Sequence, residues 1–313
     1  MTGFVGKIDG MQDIISSMHR AISHRGPDSS GSWVDEINGI ALGHQRLAIQ
    51  DLSEAGHQPM RSPSNRFVVI FNGEIYNHLD LRNSLDKSSS APISWKGHSD
   101  TETLVTSFEF IGIEETLSLL KGMFALAVWD TKLNMLTLAR DRIGEKPLFY
   151  GFSNNTLVFG SELKALKKFP GFNNNISKDS LVSFFKYNYI PAPASIYEDV
   201  FKLTPGHLIQ FNIKGGVEKS EKSKPYWSYS KVLQSAKLNQ FTDLNEACQS
   251  LEQSLETAII SQAIADVPLG AFLSGGVDSS LVVALMQKNP KLTLSLEGHA
   301  DERGTREYNL ALG

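Results

Sequence analysis

The sequence holds a single cysteine, Cys248, in 313 residues, so no disulfide can form within the chain. This scarcity of cysteine is typical of proteins from a reducing compartment, and we expect a cytoplasmic protein. No apolar run approaches the roughly 18 residues that a membrane span needs. The first residues also lack the basic and apolar regions of a secretion signal. A net charge of only −4 gives no electrostatic basis for binding nucleic acid or anionic lipid.

The first half of the sequence alternates between apolar runs and turn signals. Apolar runs at 67–71, 124–130 and 135–140 predict buried strands, and the pair Asn72-Gly73 predicts a turn that closes the first of them. Helices interrupt these strands, which is typical of a layered α+β domain. Their apolar faces consist of Ile14, Ile15, Met18 and Ile22 in one helix and of Leu104, Val105, Phe108 and Ile111 in the other.

The second half changes character after the polar stretch 171–175, where a domain boundary is plausible. An amphipathic helix is predicted from Asp243, and Cys248 lies on its apolar stripe, so we expect that side chain in the core. An apolar strand at 267–273, a loop and a helix at 281–286 follow. This order is typical of a parallel, doubly wound α/β sheet.

The loop between that strand and that helix has the sequence Ser274-Gly275-Gly276-Val277-Asp278-Ser279-Ser280. Glycines let the backbone approach a ligand, and a helix N-terminus offers unpaired N–H groups to an anion. The loop lacks the Gly-Lys-Ser/Thr triplet of a Walker A motif and has the form used by ATP pyrophosphatases. Asp278 is then expected to bind Mg²⁺ or to brace the loop. The alternative is a glycine-rich turn that only caps a helix.

Four polar clusters recur between the apolar strands, at 24–28, 43–47, 72–77 and 99–102. Binding a free α-amino acid requires a cation for its carboxylate, which Arg46 can supply, and anions for its ammonium group, which Glu74 and Asp100 can supply. The amide of Asn72 and the N–H of Gly73 can face a developing oxyanion. Singly, such residues are more often solvated loop or turn residues.

Together with the runs 122–125, 139–148, 161–166 and 266–270, these clusters carry a family likeness. From Met1 to about Ser280 the chain resembles glutamine-dependent asparagine synthetases. The resemblance implies a four-layer αββα N-terminal-nucleophile glutaminase domain (class II glutamine amidotransferase) over 2–190, followed by a connecting segment over 191–240. Residues 241–313 would begin an α/β ATP-pyrophosphatase domain, the asparagine synthetase domain.

The resemblance also implies the chemistry. Such enzymes hydrolyse glutamine and pass the ammonia through a tunnel. The ammonia attacks β-aspartyl-AMP, which is formed from aspartate and ATP with Mg²⁺. Residue 2 takes the position of the nucleophile, and Asn72 and Gly73 that of the oxyanion hole. The implied glutamine site is Arg46, Leu47, Ala48, Ile49, Gln50, Asn72, Gly73, Glu74 and Asp100, and the implied ATP site is Leu273, Ser274, Gly275, Gly276, Val277, Asp278, Ser279, Ser280 and Leu296.

The sequence departs from the family at two places. Thr2 stands where the family has the nucleophilic cysteine, and a hydroxyl ionises far less readily than a thiol, whose pKa is about 8.5. We therefore expect little glutamine hydrolysis. Only 33 residues follow Ser280, whereas a doubly wound domain needs on the order of 150. The chain is then expected to be a fragment of a longer protein or a truncated product.

Three other functions stay open on the sequence alone. The acceptor could be another carboxylate, such as a sugar acid in polysaccharide synthesis. The first domain could be an inactive glutamine-binding domain, which the threonine at position 2 favours. The protein could also be an ammonia-dependent synthetase whose first domain is structural. The oligomeric state is open as well, with a homodimer among the alternatives.

Overall fold

The computed structural model describes residues 1–213, 217, 221–273 and 276–289. The chain divides into two compact units, Met1–Gln234 and Ser235–Gly313. In the part that the model describes, no helix is both long enough and apolar enough to cross a membrane.

The first unit is built on strands that pair only in antiparallel fashion among the described residues. In chain order these are β1 (Thr2–Val5), β2 (Ser29–Asp35), β3 (Ile40–Arg46), β4 (Met60–Arg61), β5 (Phe67–Ile75), β6 (Gly122–Asp130), β7 (Met135–Arg140), β8 (Phe149–Ser153), β9 (Thr156–Gly160), β10 (Val200–Lys202), β11 (His207–Asn212) and β12 (Lys224–Pro225).

The helices of the first unit lie between these strands in the sequence. They are α1 (Met11–Arg20), α2 (His78–Ser88), α3 (Asp100–Ile111), α4 (Ile113–Leu119), α5 (Leu163–Leu166) and α6 (Lys178–Tyr187), with short 3₁₀ turns at Ser23–Arg25 and Glu54–Gly56. The division between the units falls inside α7 (Tyr229–Leu238), and the second unit contains α8 (Leu244–Gln262) and α9 (Val277–Gln287).

Two six-stranded sheets pack face to face in the first unit. Their strand orders are β10-β8-β9-β1-β3-β2 and β12-β11-β7-β6-β5-β4. Side chains of both sheets, such as Leu42 and Ile70, form the core between them. Ile15 of α1 and Leu166 of α5 pack on the outer face of the first sheet, and Leu104 of α3 packs on the outer face of the second. The expected αββα layering of the glutaminase domain is therefore confirmed.

The alternation of side chains along β5 explains why the run 67–71 is apolar throughout. Val68 and Ile70 face the inter-sheet core, while Phe67, Val69 and Phe71 face the helices. A strand that is buried on both faces needs apolar residues at every position. The strands predicted at 124–130 and 135–140 are also confirmed. The two predicted helical faces are confirmed except at their last residues, because Ile22 is buried just beyond the end of α1 and Ile111 of α3 is exposed.

The turn predicted at Asn72-Gly73 is wrong. Both residues lie inside β5 and pair with Ala125 and Phe124 of β6, and this pairing continues to Ile75 opposite Gly122. A Cβ atom at Gly73 would overlap the carbonyl oxygen of Met123. The glycine thus serves close strand packing here rather than a hairpin turn.

The segment 191–240, expected to connect two domains, contributes β10, β11 and β12 to the sheets. Strand β11 pairs with β7 over five residues and buries Leu208, Ile209 and Phe211. The first unit therefore extends well past residue 190, because these apolar strands complete its sheets.

The second unit confirms the two predicted helices and corrects two other expectations. Asp243 caps α8 by accepting a hydrogen bond from the Glu246 amide at 2.9 Å. Cys248 is exposed rather than in a core. Residues 267–273 form no strand among the described residues, where Phe272 is fully exposed. A strand exists only when its backbone pairs with another, and the described part of this unit supplies no such partner.

Candidate functional site

The four polar clusters of the sequence meet at one cavity of about 440 Å³ in the first unit. Its walls come from the end of β3 and the loop that follows it, the second half of β5, and the start of α3. Of the nine residues implied to bind glutamine, all but Ala48 line this cavity: Arg46, Leu47, Ile49, Gln50, Asn72, Gly73, Glu74 and Asp100. The amide of Ala48 instead donates to Asp28 at 2.8 Å.

One wall of the cavity is acidic. Ser99 caps α3 through the Glu102 amide at 3.2 Å, which places Asp100 at the first residue of the helix. Asp100 is buried and accepts hydrogen bonds from the Ile75 amide at 2.9 Å and the Thr101 hydroxyl at 3.2 Å. Two carboxylates, that of the buried Asp100 and that of the half-buried Glu74, therefore line the same cavity.

Burial shifts the protonation of both acids. It raises the pKa of Asp100 to about 6 against the hydrogen bonds it accepts, and the nearby charge of Glu74 adds to the rise. Burial also raises the pKa of Glu74, while the charge of Lys146 opposes that rise. A cationic ligand would relieve this cost by compensating the two buried charges.

Arg46 also lines the cavity, and its guanidinium makes hydrogen bonds to the backbone of the loop that follows β3. It donates to the carbonyl oxygens of Ser53 at 3.0 Å, Gln50 at 3.3 Å and Asp51. These bonds use three of the five N–H donors of an arginine side chain. Arg46 therefore shapes the loop over the cavity, and direct contact with a ligand carboxylate stays a prediction that rests on the two other N–H groups.

The nucleophile position lies next to the cavity but does not face it. The buried Thr2 hydroxyl donates to the Phe159 carbonyl at 2.9 Å, and Thr2 does not line the cavity. Residues opposite each other in antiparallel strands share a face. The partners of Thr2 are Gly43 and Gly160, where a Cβ atom would point at α1 and α5. The Thr2 side chain is thus directed toward the helices.

Met1 occupies the space between Thr2 and the cavity. Its ammonium group donates to the Ser161 hydroxyl at 3.3 Å, and the same hydroxyl accepts from the Asn72 side-chain amide at 3.5 Å. Burial, together with the charge of Arg25, lowers the pKa of this ammonium group to about 5. The amino terminus therefore reaches the cavity through Ser161.

Three polar residues are notable among the cavity-lining residues that were not predicted as site residues. His44 bonds the Phe71 carbonyl at 2.9 Å and joins the two sheets, and burial holds its pKa well below the usual range. Gln58 accepts from the Phe71 amide at 2.6 Å. Lys146 reaches the cavity from the loop after β7. Only His44 and Lys146 lie in sequence runs that carried the family likeness, and no local signal marks Gln58.

The loop that carries Lys146 is held by a buried carboxylate. Asp141 is fully buried and accepts hydrogen bonds from the backbone amides of Phe124, Ile143, Gly144, Glu145 and Lys146 at 2.6–3.2 Å. Gly144 has a φ of +77°, a conformation that glycine adopts without strain. The conformation of the loop after β7 thus depends on this nest of backbone amides around one anion.

The predicted phosphate loop belongs to the second unit. Gly276 caps α9, and Val277, Asp278, Ser279 and Ser280 form its first turn, where Asp278 is exposed. Gly276 makes no side-chain capping bond, and its carbonyl accepts from the Ser280 amide at 3.1 Å. Leu273 is half-exposed. Ser274, Gly275 and Leu296 lie outside the described residues, so ATP binding stays a prediction.

Comparison with protein families gives two matches. A model described as a glutamine amidotransferase domain matches residues 1–227, and one described as asparagine synthase matches residues 250–306. The glutamine-hydrolyzing asparagine synthetase 3 of Bacillus subtilis is 33% identical, over 91% of this chain and 45% of its own. Asparagine synthetase 1 of the same organism is 31% identical over 99% and 48%. The chain spans about half the length of the curated relatives it matches.

Comparison with solved structures agrees on the fold. The allosteric regulatory enzyme of purine biosynthesis is 18% identical, with a TM-score of 0.53 over 97% of this chain and 66% of that one. Glutamine phosphoribosylpyrophosphate amidotransferase from B. subtilis, complexed with ADP and GMP, is also 18% identical, with a TM-score of 0.52 over 98% and 67%. At this identity the likeness concerns the architecture alone.

The buried Asp100 carboxylate leads to a prediction about stability. The pKa of Asp100 is about 6 in the folded protein and 3.8 without burial. As the pH rises, the carboxyl therefore ionises more readily in the unfolded chain than in the folded protein, and this lowers the free energy of unfolding. We expect Asp100→Asn to unfold at the same temperature as the wild type at pH 4 and at a higher temperature at pH 8. The gain is roughly 2–3 kcal/mol. Thermal melts across this pH range measure the difference.

The matched control is Asp80→Asn, an exposed acid in the first turn of α2. Its melting temperature relative to the wild type should not vary in this way. If Asp100→Asn were destabilised at pH 8, the ionised carboxylate would be stabilising the empty site, contrary to this interpretation.

Proposed function

Because the chain belongs to the glutamine amidotransferase domain family, we propose that its first unit binds free glutamine in the cavity between β3, β5 and α3. The observation that carries the proposal is that Arg46, Glu74 and Asp100 line one cavity. A free α-amino acid has one positive and one negative group on the same carbon. A site that combines a cation with two carboxylates matches that pattern.

Each part of glutamine has a candidate partner. The ammonium group lies between Glu74 and Asp100, whose buried charges it compensates. The α-carboxylate meets the remaining N–H groups of Arg46. The side-chain amide then extends toward Asn72 and Gly73, where the Asn72 amide now makes only a long bond of 3.5 Å to Ser161. Such a weakly held amide can turn toward a carbonyl oxygen of the ligand at little cost.

For the whole protein we propose an ATP-dependent carbon–nitrogen ligase of the asparagine synthetase type, with glutamine as the nitrogen donor. The support is the asparagine synthase match and the names of the relatives. The start of α9 fits a nucleotide phosphate, because a helix N-terminus directs backbone N–H groups toward an anion. Asp278 would hold Mg²⁺ there, and ATP supplies the energy to activate a carboxylate as its adenylate.

We further propose that glutamine hydrolysis by the first unit is slow. The Thr2 hydroxyl is engaged with Phe159 and directed toward the helices, away from the cavity. Even when exposed as an N-terminal residue, threonine would attack as a poorly ionised hydroxyl in place of a thiol. Ammonia supplied directly should therefore support synthesis better than glutamine does.

Calorimetry tests the glutamine site. We expect the wild type to bind glutamine and Glu74→Gln to bind it about tenfold more weakly or worse, because one of the two anions for the ammonium group is lost. Glu36→Gln, which neutralises an exposed acid on the loop after β2, should bind like the wild type. Equal glutamine affinity in all three proteins, or none in any of them, would overturn the site.

Glutamate release tests the nucleophile. Thr2→Cys should hydrolyse glutamine on the order of tenfold or more faster than the wild type, because the thiolate is the better nucleophile. Thr2→Ala should equal the wild type. Mass spectrometry must first establish whether residue 1 is retained in each protein. Robust wild-type hydrolysis that disappears in Thr2→Ala would show that the threonine is itself competent.

Product analysis tests the ligase. The whole protein is incubated with ATP, Mg²⁺, ammonium and aspartate, and its products are measured by mass spectrometry. We expect asparagine, AMP and pyrophosphate, with a yield that falls strongly in Asp278→Ala. Amidation of a sugar acid but not of aspartate would instead identify the alternative acceptor. Absence of AMP with every acceptor would contradict the proposed ligase.

A further inference from the structure

The loop over the cavity is fastened at a second point besides Arg46. Asp51 is 1% exposed and adopts a left-handed backbone with a φ of +56°. Its carboxylate accepts from the Ser53 amide at 3.2 Å and from the Ser53 hydroxyl. These contacts form a compact turn in which the carbonyls point at Arg46 and the Asp51 side chain points the opposite way.

The Asp51 side chain of that turn contacts the segment that precedes Asp100. The second Asp51 oxygen accepts from the His98 amide at 2.9 Å and lies 3.8 Å from the His98 ring nitrogen Nδ1. Burial alone would raise the pKa of Asp51, but the bonds from Ser53 and His98 outweigh it and lower the pKa. The carboxylate therefore stays charged, which strengthens the hydrogen bonds it accepts.

The segment 96–99 is fixed from its other side as well. The Arg82 guanidinium donates to the Gly97 carbonyl at 2.8 Å, and Glu102 accepts from the amides of Lys96 at 2.6 Å and Gly97 at 3.0 Å. Asp51 thus joins the loop whose carbonyls bond the Arg46 guanidinium (the Arg46 loop) to a rigid segment. That segment leads directly into Asp100.

Gly97 lies where the Asp51 turn and the segment 96–99 are in close contact. A Cβ atom there would overlap Oδ2 of Asp51 and lie 2.8 Å from the Cβ of Ala55. Its backbone is not in the left-handed region, so alanine would fit the local conformation. What excludes a side chain at position 97 is the Asp51 carboxylate together with the adjacent turn.

We propose that Asp51 is a positioning residue of the amino-acid site, which holds the Arg46 loop and Asp100 at a fixed separation. The inference rests on the proposed binding of glutamine. The carboxylate and ammonium of an α-amino acid share one carbon, so their partners must keep a fixed distance to bind both groups together. With the junction intact, the site discriminates a complete α-amino acid from an analogue that lacks one of the two groups.

The test compares glutamine with 4-aminobutanamide, which is glutamine without its α-carboxylate. Dissociation constants of both probes are measured by NMR titration of the full chain. Asp51→Ala and Gly97→Ala should each weaken the binding of glutamine about tenfold or more. They should change the dissociation constant of 4-aminobutanamide by less than about threefold. The affinity ratio between the probes therefore falls, because the acidic wall still binds the ammonium group on its own.

A double variant shows whether both substitutions act on the same junction. Gly97→Ala should have little further effect when Asp51 is already alanine, because the contact it disrupts is gone. Asp51→Asn, which keeps the size and one acceptor oxygen, should lose less glutamine affinity than Asp51→Ala. This conservative variant separates loss of the junction from general misfolding. Gly270→Ala, where a Cβ atom meets nothing within 4 Å, and Asp80→Ala are the matched controls and should leave the ratio unchanged.

The outcomes separate the two proposals. If the wild type binds no glutamine, both the proposed function and the positioning role are overturned. If the wild type binds glutamine but the affinity ratio survives in Asp51→Ala and Gly97→Ala, only the positioning role is overturned. The same holds if both probes weaken equally in these variants, because Asp51 would then support the fold in general.

Discussion

The pairing of β5 with β6 is the constraint on which the rest of the first unit depends. It runs without interruption from Phe67 opposite Asp130 to Ile75 opposite Gly122. The first five residues of β5 bury side chains on both faces and hold two layers of core together. Asn72, Gly73 and Glu74 line the cavity, and Ile75 is again part of the core. Because one strand does both, the site inherits its rigidity from the best-packed part of the fold.

The same strand shows what a sequence can and cannot predict. Periodicity and apolar content were sufficient to predict β5, β6 and β7, since burial on both faces of a strand leaves a continuous apolar run. The pair Asn72-Gly73 was misinterpreted as a turn because its local preference is strong and the competing interaction is not local. The pairing register with β6 makes these two residues continue the strand, and residues nearby in the sequence do not encode that register. Cys248 was wrongly predicted in a core for a similar reason, since an apolar stripe on a helix does not show which element packs against it.

The family likeness supplied what periodicity could not, namely that four separated clusters belong together. The structure adds how they are held. Arg46 has a guanidinium whose donors are shared between the backbone of its own loop and the cavity. A position can therefore be right for a ligand contact and still be needed for the fold, so alanine substitution alone would confuse the two roles. Asp51, His44 and Gln58 were beyond prediction because their partners are backbone groups, which leave no mark on residue types elsewhere.

The first two residues, Met1 and Thr2, have side chains on opposite faces of the first sheet. Side chains alternate along β1, so Met1 enters the core between the sheets while Thr2 is turned toward the helices. With Met1 in place, its carbonyl accepts from the Ser161 amide at 2.9 Å and its ammonium reaches the Ser161 hydroxyl. Removal of Met1 would leave both Ser161 groups without these partners and would create a free amine on Thr2. The chemistry open to residue 2 therefore depends on the rearrangement at Ser161 as much as on the exchange of cysteine for threonine.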